Sequence, residues 1–356
     1  MFRRLGWLVI AVATTASAAP DGHKRVATAI RPREPALDLQ QLTRLTDDPQ
    51  LGNADRVDGD EATGMVAFTF DDGPNPETTP AVIDALEKYN VPASFFIVTQ
   101  RIAGKHGDKA REILRRELDA GFLVGSHSVS HASLKRAVND KLLREVDASI
   151  AALAAEAGRP IGMFRPPYGS LSGMGRVRLK KLKLTEVRWS VDTLDWKAHS
   201  PDRLRKKVIS MIKKDGGGVV LMHDVKPITA QIIADVLDDL EAENCARIAE
   251  DRAPIVPVSI HYFLKDGKAP RAIPAAVKRR TEAYKAALPD RCAKRPAPAT
   301  EGVPKHAASS NEPPASHAAS VAASAPRHAA PIESASGRAA PAIELPPKHA
   351  VKHAVK

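Results

Sequence analysis

Two adjacent carboxylates, Asp71 and Asp72, end a run of β-branched and aromatic residues at 66–70 and are followed at once by Gly73-Pro74. Successive side chains of a strand point to opposite faces, but a Gly-Pro bend lets both carboxylates face one cleft with different partners. Alone, Asp-Asp-Gly-Pro is also an ordinary solvated turn, so its meaning depends on what the later chain brings to it. Next come His127 and His131, four residues apart in His127-Ser128-Val129-Ser130-His131. On a helical turn that spacing puts both imidazoles on one face, a chelating arrangement for a borderline metal such as zinc. One of the two aspartates would complete a two-histidine, one-carboxylate set with open positions, as catalytic rather than structural sites have. A metal held that way polarises a carbonyl and lowers the pKa of water, which leaves the other aspartate free as general base.

Three later segments add to this set. Arg165-Pro166-Pro167-Tyr168-Gly169 offers a guanidinium to clamp and orient a carboxylate. Its rigid prolines, Pro167 among them, set Tyr168 near the cleft with a backbone N–H suited to an oxyanion. Asp192-Thr193-Leu194-Asp195-Trp196 supplies carboxylates and an aromatic wall. Leu221-Met222-His223-Asp224 places His223 as a general acid for a leaving amine, with a neighbouring carboxylate raising its pKa and fixing its tautomer. Either Asp192 or Asp195 fits that last part.

The elements that must position these residues alternate. Short apolar runs at 65–70, 94–98, 122–125, 162–165, 186–191, 218–223 and 255–260 predict seven strands. Helical patterns lie between them at 77–89, 108–120, 140–156, 177–182, 202–214 and 229–243. Gly121 and Gly158 stand where helix C-caps belong, and Ser200-Pro201-Asp202 reads as a helix start. Strand–helix alternation implies parallel strands with right-handed crossovers. Without a glycine-rich phosphate fingerprint, it favours an imperfect barrel over a doubly wound sheet. Every candidate above falls at the C-terminal end of a strand, where such barrels carry their chemistry.

The ends of the chain read differently. Arg3-Arg4, an apolar run at 5–12 and Ala16-Ser17-Ala18 predict a cleaved signal peptide over 1–18. The run is shorter than the roughly 20 residues that span a bilayer, and no later segment suits a transmembrane helix. The expected product is exported, periplasmic or extracellular. Residues 19–62 read as a linker, 63–292 as the domain, and 293–356 as a disordered tail rich in Ala, Pro, His and Lys. In an oxidising compartment the two cysteines, Cys245 and Cys292, would pair. A net charge of +11 suits an anionic envelope polymer; nucleic acid is excluded as a partner, because no reader motif accompanies the charge.

Taken in order, the five segments between 66 and 260 resemble the NodB-homology polysaccharide deacetylases of carbohydrate esterase family four, with no motif position broken. The resemblance implies an α/β fold, a distorted (β/α)7 barrel, that hydrolyses acetyl groups from amino sugars or xylan, usually with zinc; cobalt or nickel are other candidate ions. By motif position, Asp71 resembles the general base, and Asp72, His127 and His131 the metal ligands. Arg165 resembles the residue that orients the base, Tyr168 the backbone oxyanion donor, and His223 the general acid tuned by Asp195 or Asp192. Trp196 and Leu221 would line the acetyl pocket. The implied substrate is N-acetylglucosamine in peptidoglycan first, chitin oligomers second, and acetylated xylan or an exopolysaccharide third, acted on by a monomer. Two other classes compete: a non-catalytic wall-binding protein, and a metal buffer using the histidine-bearing tail.

Overall fold

The computed structural model describes residues 37–60, 64–104 and 107–295. The expected signal peptide and nearly all of the expected tail lie outside the described residues. Along the chain the elements begin with α1 (Leu39–Thr46), β1 (Met65–Asp71), α2 (Thr79–Lys88), β2 (Ala93–Ile97), α3 (Asp108–Asp119) and β3 (Leu123–Ser126). Next come α4 (Asn139–Leu142), which runs through a π turn (Leu143–Asp147) into α5 (Ala148–Ala157), then β4 (Met163–Phe164) and α6 (Gly173–Lys181). They continue with β5 (Thr185–Glu186), β6 (Val191–Asp192), α7 (Pro201–Asp215), β7 (Gly217–His223) and α8 (Pro227–Ala249). Last are β8 (Val256–Pro257), the small hairpin β9 (Lys265–Asp266) and β10 (Ala269–Pro270), and α9 (Ala275–Lys294).

The strands form one parallel, curled sheet in the order β5-β4-β3-β2-β1-β7-β6, with β8 alongside the start of β1. Helices cover its outer surface, so the fold is the distorted α/β barrel that the alternation predicts. β1 shows how the sequence builds it. Val66, Phe68 and Phe70 point outward and pack with Val82, Leu86, Val236 and Leu240 of the flanking helices. Period two puts Ala67, Thr69 and Asp71 on the inner face. There Ala67 joins Phe96, Met163, Val187 and Val219 in a second core, closed from below by Leu51, Ile260 and Leu264. Above this plug the inner face turns polar, and that is where the chemistry gathers.

The structure departs from the sequence reading in three places. The expected strand over 186–191 is two strands at opposite edges of the sheet, β5 beside β4 and β6 beside β7. Four residues, 187–190, carry the chain from one edge to the other. No glycine or proline marks the change, so the run reads as continuous. Second, residues 37–60, expected as linker, belong to the fold. Leu42 is buried in the outer core, and α1 is fixed by a capping box between Asp38 and Gln41. Val57 donates its N–H to the Glu186 carbonyl (3.0 Å) and accepts from the Arg188 N–H (2.7 Å), so this segment fills the seam between the sheet edges. An eight-residue helix and a single bridge leave no periodicity to read. Third, α9 was not expected; only Thr281, Tyr284 and Leu288 of its twenty residues are buried, too few for an apolar stripe. A disulfide joins Cys245 of α8 to Cys292 of α9.

Candidate active site

Arg165 is the largest fully buried side chain, and it lies inside the barrel mouth. Its guanidinium stands 4.1 Å from the Phe96 ring centroid and 5.6 Å from that of Trp189. It donates to Asp71 Oδ1 (2.7 Å), Thr69 Oγ1 (2.8 Å), the Val187 carbonyl (3.3 Å) and the Arg188 carbonyl (3.1 Å). Burial pushes its pKa down while Asp71 pushes it back up. A guanidinium stays charged through such opposing pulls, and its planar fork suits several fixed acceptors at once. One side chain therefore joins β1, β4 and the 187–190 crossing, and holds the Asp71 carboxylate in one orientation. Asp71 is itself 2% exposed.

Next to Asp71, the chain at Asp72 turns left-handed (φ 76°), which swings the second carboxylate away from the first. Asp72, His127 and His131 each bring a ligand-type atom within 4.8 Å of the others. Asp72 Oδ1 is 3.7 Å from His127 Nε2 and 3.4 Å from His131 Nε2. His127 and His131 do not share a helix, as their spacing suggested. Left-handed residues at Ser128 (φ 71°) and His131 (φ 59°) fold the loop back instead, and the imidazole centroids come within 5.0 Å. His127 Nδ1 lies 2.7 Å from the Arg165 carbonyl. A carbonyl only accepts, so Nδ1 carries the proton and Nε2 keeps its lone pair. Burial lowers the pKa of His127 against the pull of Asp71 and Asp72, which keeps the ring neutral and able to ligate. Asp72 Oδ1 is buried without a hydrogen-bond partner. A buried orphan acceptor between two imidazole Nε2 atoms fits a divalent cation, and the donor set of two nitrogens and one oxygen suits zinc-like ions.

His223 lies beside Asp71 in register on the neighbouring strand. Its Nδ1 is 2.7 Å from Asp195 Oδ1, and its backbone N–H donates to Asp195 Oδ2 (2.7 Å). The Thr229 hydroxyl also donates to Oδ2 (2.6 Å). Asp192 does not reach His223; its Oδ1 accepts the Leu194 N–H and shapes the turn. Burial opposes charge on His223, yet Asp195, together with the field of Asp71 and Asp72, raises its pKa to about 9. At neutral pH the ring is an imidazolium with its Nε2 proton available.

Tyr168 and Trp196 stand out as exposed aromatics, 66% and 54% accessible, each on a one-turn 3₁₀ segment at the mouth. Tyr168 is left-handed (φ 57°) and its ring meets His131 edge-on at 4.6 Å. Pro167 is buried beneath it. Leu221 shares the inner face of β7 with Val219 and His223 and is 5% exposed. Cys245 and Cys292 lie on the outer helices, away from these groups.

The sequence did not reveal Thr69, Thr229 or Trp189, whose types carry no motif signal. It also missed Asp224, which is fully buried, accepts the Thr79 hydroxyl and is raised to about 7, chiefly by burial. A Cβ on Gly73 would fall 2.1 Å from Asp224 Oδ2, so only glycine fits beside that carboxylate.

The chain is similar to several known proteins. A family model described as polysaccharide deacetylase matches residues 58–187. The peptidoglycan-N-acetylglucosamine deacetylase PgdA of Listeria monocytogenes is 33% identical over 179 residues, covering 50% of this chain and 36% of that protein. A peptidoglycan-N-acetylglucosamine deacetylase of Bacillus cereus is 33% identical over 49% of this chain and 61% of its own length. A chitooligosaccharide deacetylase of Bradyrhizobium is 34% identical over 46% of this chain and 73% of its own length. The chain thus spans about a third of the Listeria protein and nearly three quarters of the Bradyrhizobium one.

Proposed function

This chain belongs to the polysaccharide deacetylase family, and from that membership we propose that it is a metal-dependent hydrolase removing N-acetyl groups from N-acetylglucosamine units of peptidoglycan. The observation that carries the reading is the meeting, at one barrel mouth, of an Arg165-held Asp71, the Asp72–His127–His131 cluster and an Asp195-held His223. A binding surface has no use for a fixed base, a fixed acid and a cation cluster together. Zinc is the proposed ion, with cobalt or nickel able to take the same donors. Asp72, His127 and His131 would hold it, and when bound it supplies Lewis acidity to the acetyl carbonyl and to water.

In the proposed reaction Asp71 takes a proton from the attacking water, its carboxylate kept in line by Arg165. The new carbon–oxygen bond turns the carbonyl oxygen into an oxyanion, which the Tyr168 backbone N–H receives. His223 Nε2 then protonates the sugar nitrogen as the carbon–nitrogen bond breaks. Acetate and a free amino sugar leave. Tyr168 and Trp196 provide the aromatic faces on which sugar rings rest, and Leu221 the apolar wall for the acetyl methyl.

Export to the envelope, supported by the signal-like residues 1–18, and action as a monomer complete the reading. Chitin oligomers are the second substrate reading, favoured by the relative of which this chain covers the larger share. The test is acetate release from purified peptidoglycan and from chitin oligomers, each with chelator and then with zinc restored. Chelator-sensitive release from peptidoglycan supports the reading, and release from chitin oligomers alone moves the substrate. No release from either substrate by the zinc-loaded protein overturns it.

A further inference from the structure

Four of the nine large hydrophobic side chains that stand exposed among the described residues cluster on one face, Val138, Leu143, Met174 and Val177. Leu143, Met174 and Val177 line a groove of about 590 Å³ between α6 and the stretch from α4 into the π turn, and Val138 directly precedes Asn139 of its lining. Scattered exposed apolar residues need no explanation, but a contiguous patch marks an interaction surface. The groove contains no aromatic residue, unlike the Tyr168 and Trp196 faces at the mouth, so it is poorly suited to stacking a sugar ring.

The surround of the groove is basic. Residues 173–183 hold five Lys and Arg and no acid. Arg176 is 4.0 Å from Glu186, Arg178 is paired with Asp147 and Lys183 with Asp47. Lys181 at the groove, Lys180 beside it, Arg144 of the π turn, and Lys135 and Arg136 just before α4 make no ion pair among the described residues. Asp140 and Glu145 are the acids on that side, Glu145 accepting from the Ser130 hydroxyl and N–H, so the bases outnumber the acids around the groove. The chain's own residues 296–356 hold six Lys and Arg against four Glu and are a poor electrostatic match. A second copy would bring the same positive charge to the same face.

We propose that this face docks the protein on an anionic lipid bilayer, with Leu143, Met174 and Val177 at the boundary of headgroups and acyl chains and the surrounding lysines and arginines on lipid phosphates. Two short segments connect it to the catalytic mouth. Residues 132–137 follow His131, and residues 169–172 follow Tyr168. They are stitched together by the Leu134–Leu171 bridge and by the Ser172 N–H to the Leu134 carbonyl (2.9 Å). Docking would therefore hold the mouth at the membrane surface. The proposal is independent of the substrate reading.

The experiment is sedimentation of the full chain with vesicles of phosphatidylcholine alone and of equimolar phosphatidylcholine and phosphatidylglycerol. Wild type is expected to bind the anionic vesicles at least ~10-fold more tightly, and less so in high salt. Met174→Ser with Val177→Ser leaves charge unchanged and is expected to weaken that binding about tenfold. Lys180→Glu with Lys181→Glu is expected to weaken it by a factor of about thirty or more. Both pairs should keep the wild-type thermal midpoint and the same acetate release from soluble chitin oligomers, which separates docking from folding and from catalysis. Equal binding to neutral and anionic vesicles overturns the proposal. So does anionic binding that both pairs leave intact, which would place it elsewhere on the chain. Sensitivity to the glutamates but not to the serines also overturns it, pointing to a phosphate polymer rather than a bilayer.

Discussion

Asp195 grips His223 at two points, Oδ1 against Nδ1 and Oδ2 against the backbone N–H, each at 2.7 Å. The first contact fixes the tautomer and charge of the ring, and the second fixes where β7 ends. Thr229 braces the same carboxylate from the start of α8. The ring therefore cannot turn without breaking a buried hydrogen bond.

This grip sets a pH dependence. Although burial opposes the charge, the carboxylate raises His223 from an ordinary 6.5 to about 9. A raised folded-state pKa gives stability that is fully present below 6.5 and lost as pH rises through about 9. In Asp195→Asn burial is left without its main opponent, so the His223 midpoint falls. Nuclear magnetic resonance titration of the metal-free protein should show that shift. The basic limb of acetate release should move to lower pH, with turnover down roughly 100-fold or more. An unmoved midpoint in Asp195→Asn would refute the assignment.

Arg165 gives a prediction about stability. Replacing it with methionine leaves Asp71 buried without its partner, which costs about 3–5 kcal/mol for an interior pair. Urea denaturation should show that loss. Adding Asp71→Asn to the same chain should recover part of it, because the stranded charge is then gone. Arg165→Lys keeps the charge but cannot reach four acceptors, and should fall between wild type and methionine. Equal stability of all four proteins would contradict the buried network.

The Cys245–Cys292 bridge spans 47 residues, and closing a loop of that length is worth about 4 kcal/mol in the chain-entropy model. Cys245→Ser with Cys292→Ser should lower the urea midpoint accordingly. Turnover at 25 °C should persist, since α8 and α9 flank the barrel and the mouth gets its residues from strand ends. A double variant with unchanged midpoint but abolished turnover would reverse that division of roles.

What could be read in advance follows from where information is local. The motif residues sit next to one another in sequence, and period two along β1 already assigns Asp71 to the inner face beside Thr69. The strand ends they occupy were legible for the same reason. The partner of His223 was not, because Asp192 and Asp195 are equally near in sequence and differ only in the left-handed turn at Leu194 (φ 56°). The four-residue spacing of His127 and His131 does not by itself say how they meet, since it serves a helical turn and equally a loop that two left-handed residues fold back. The seam at 187–190 was missed because an edge change leaves no mark when Val57 arrives from 130 residues earlier to supply the hydrogen bonds.

The unpartnered Asp72 Oδ1 supports a test that does not depend on turnover. In the metal-free protein this atom is desolvated with nothing in return, so a cation that satisfies it binds the folded chain and stabilises it. At a hundredfold excess over the dissociation constant the gain is about 2.7 kcal/mol, visible as a rise in thermal midpoint when zinc is added. His127→Ala and Asp72→Asn should each remove most of that rise, because each deletes one corner of a cluster whose atoms lie within 4.8 Å of one another. Asp71→Asn and His223→Ala should keep it while turnover collapses, since neither belongs to that cluster. Calorimetric titration with zinc would give the same ordering as affinities. If His127→Ala keeps the full zinc-induced rise, the ion sits elsewhere and the assignment of Asp72, His127 and His131 fails.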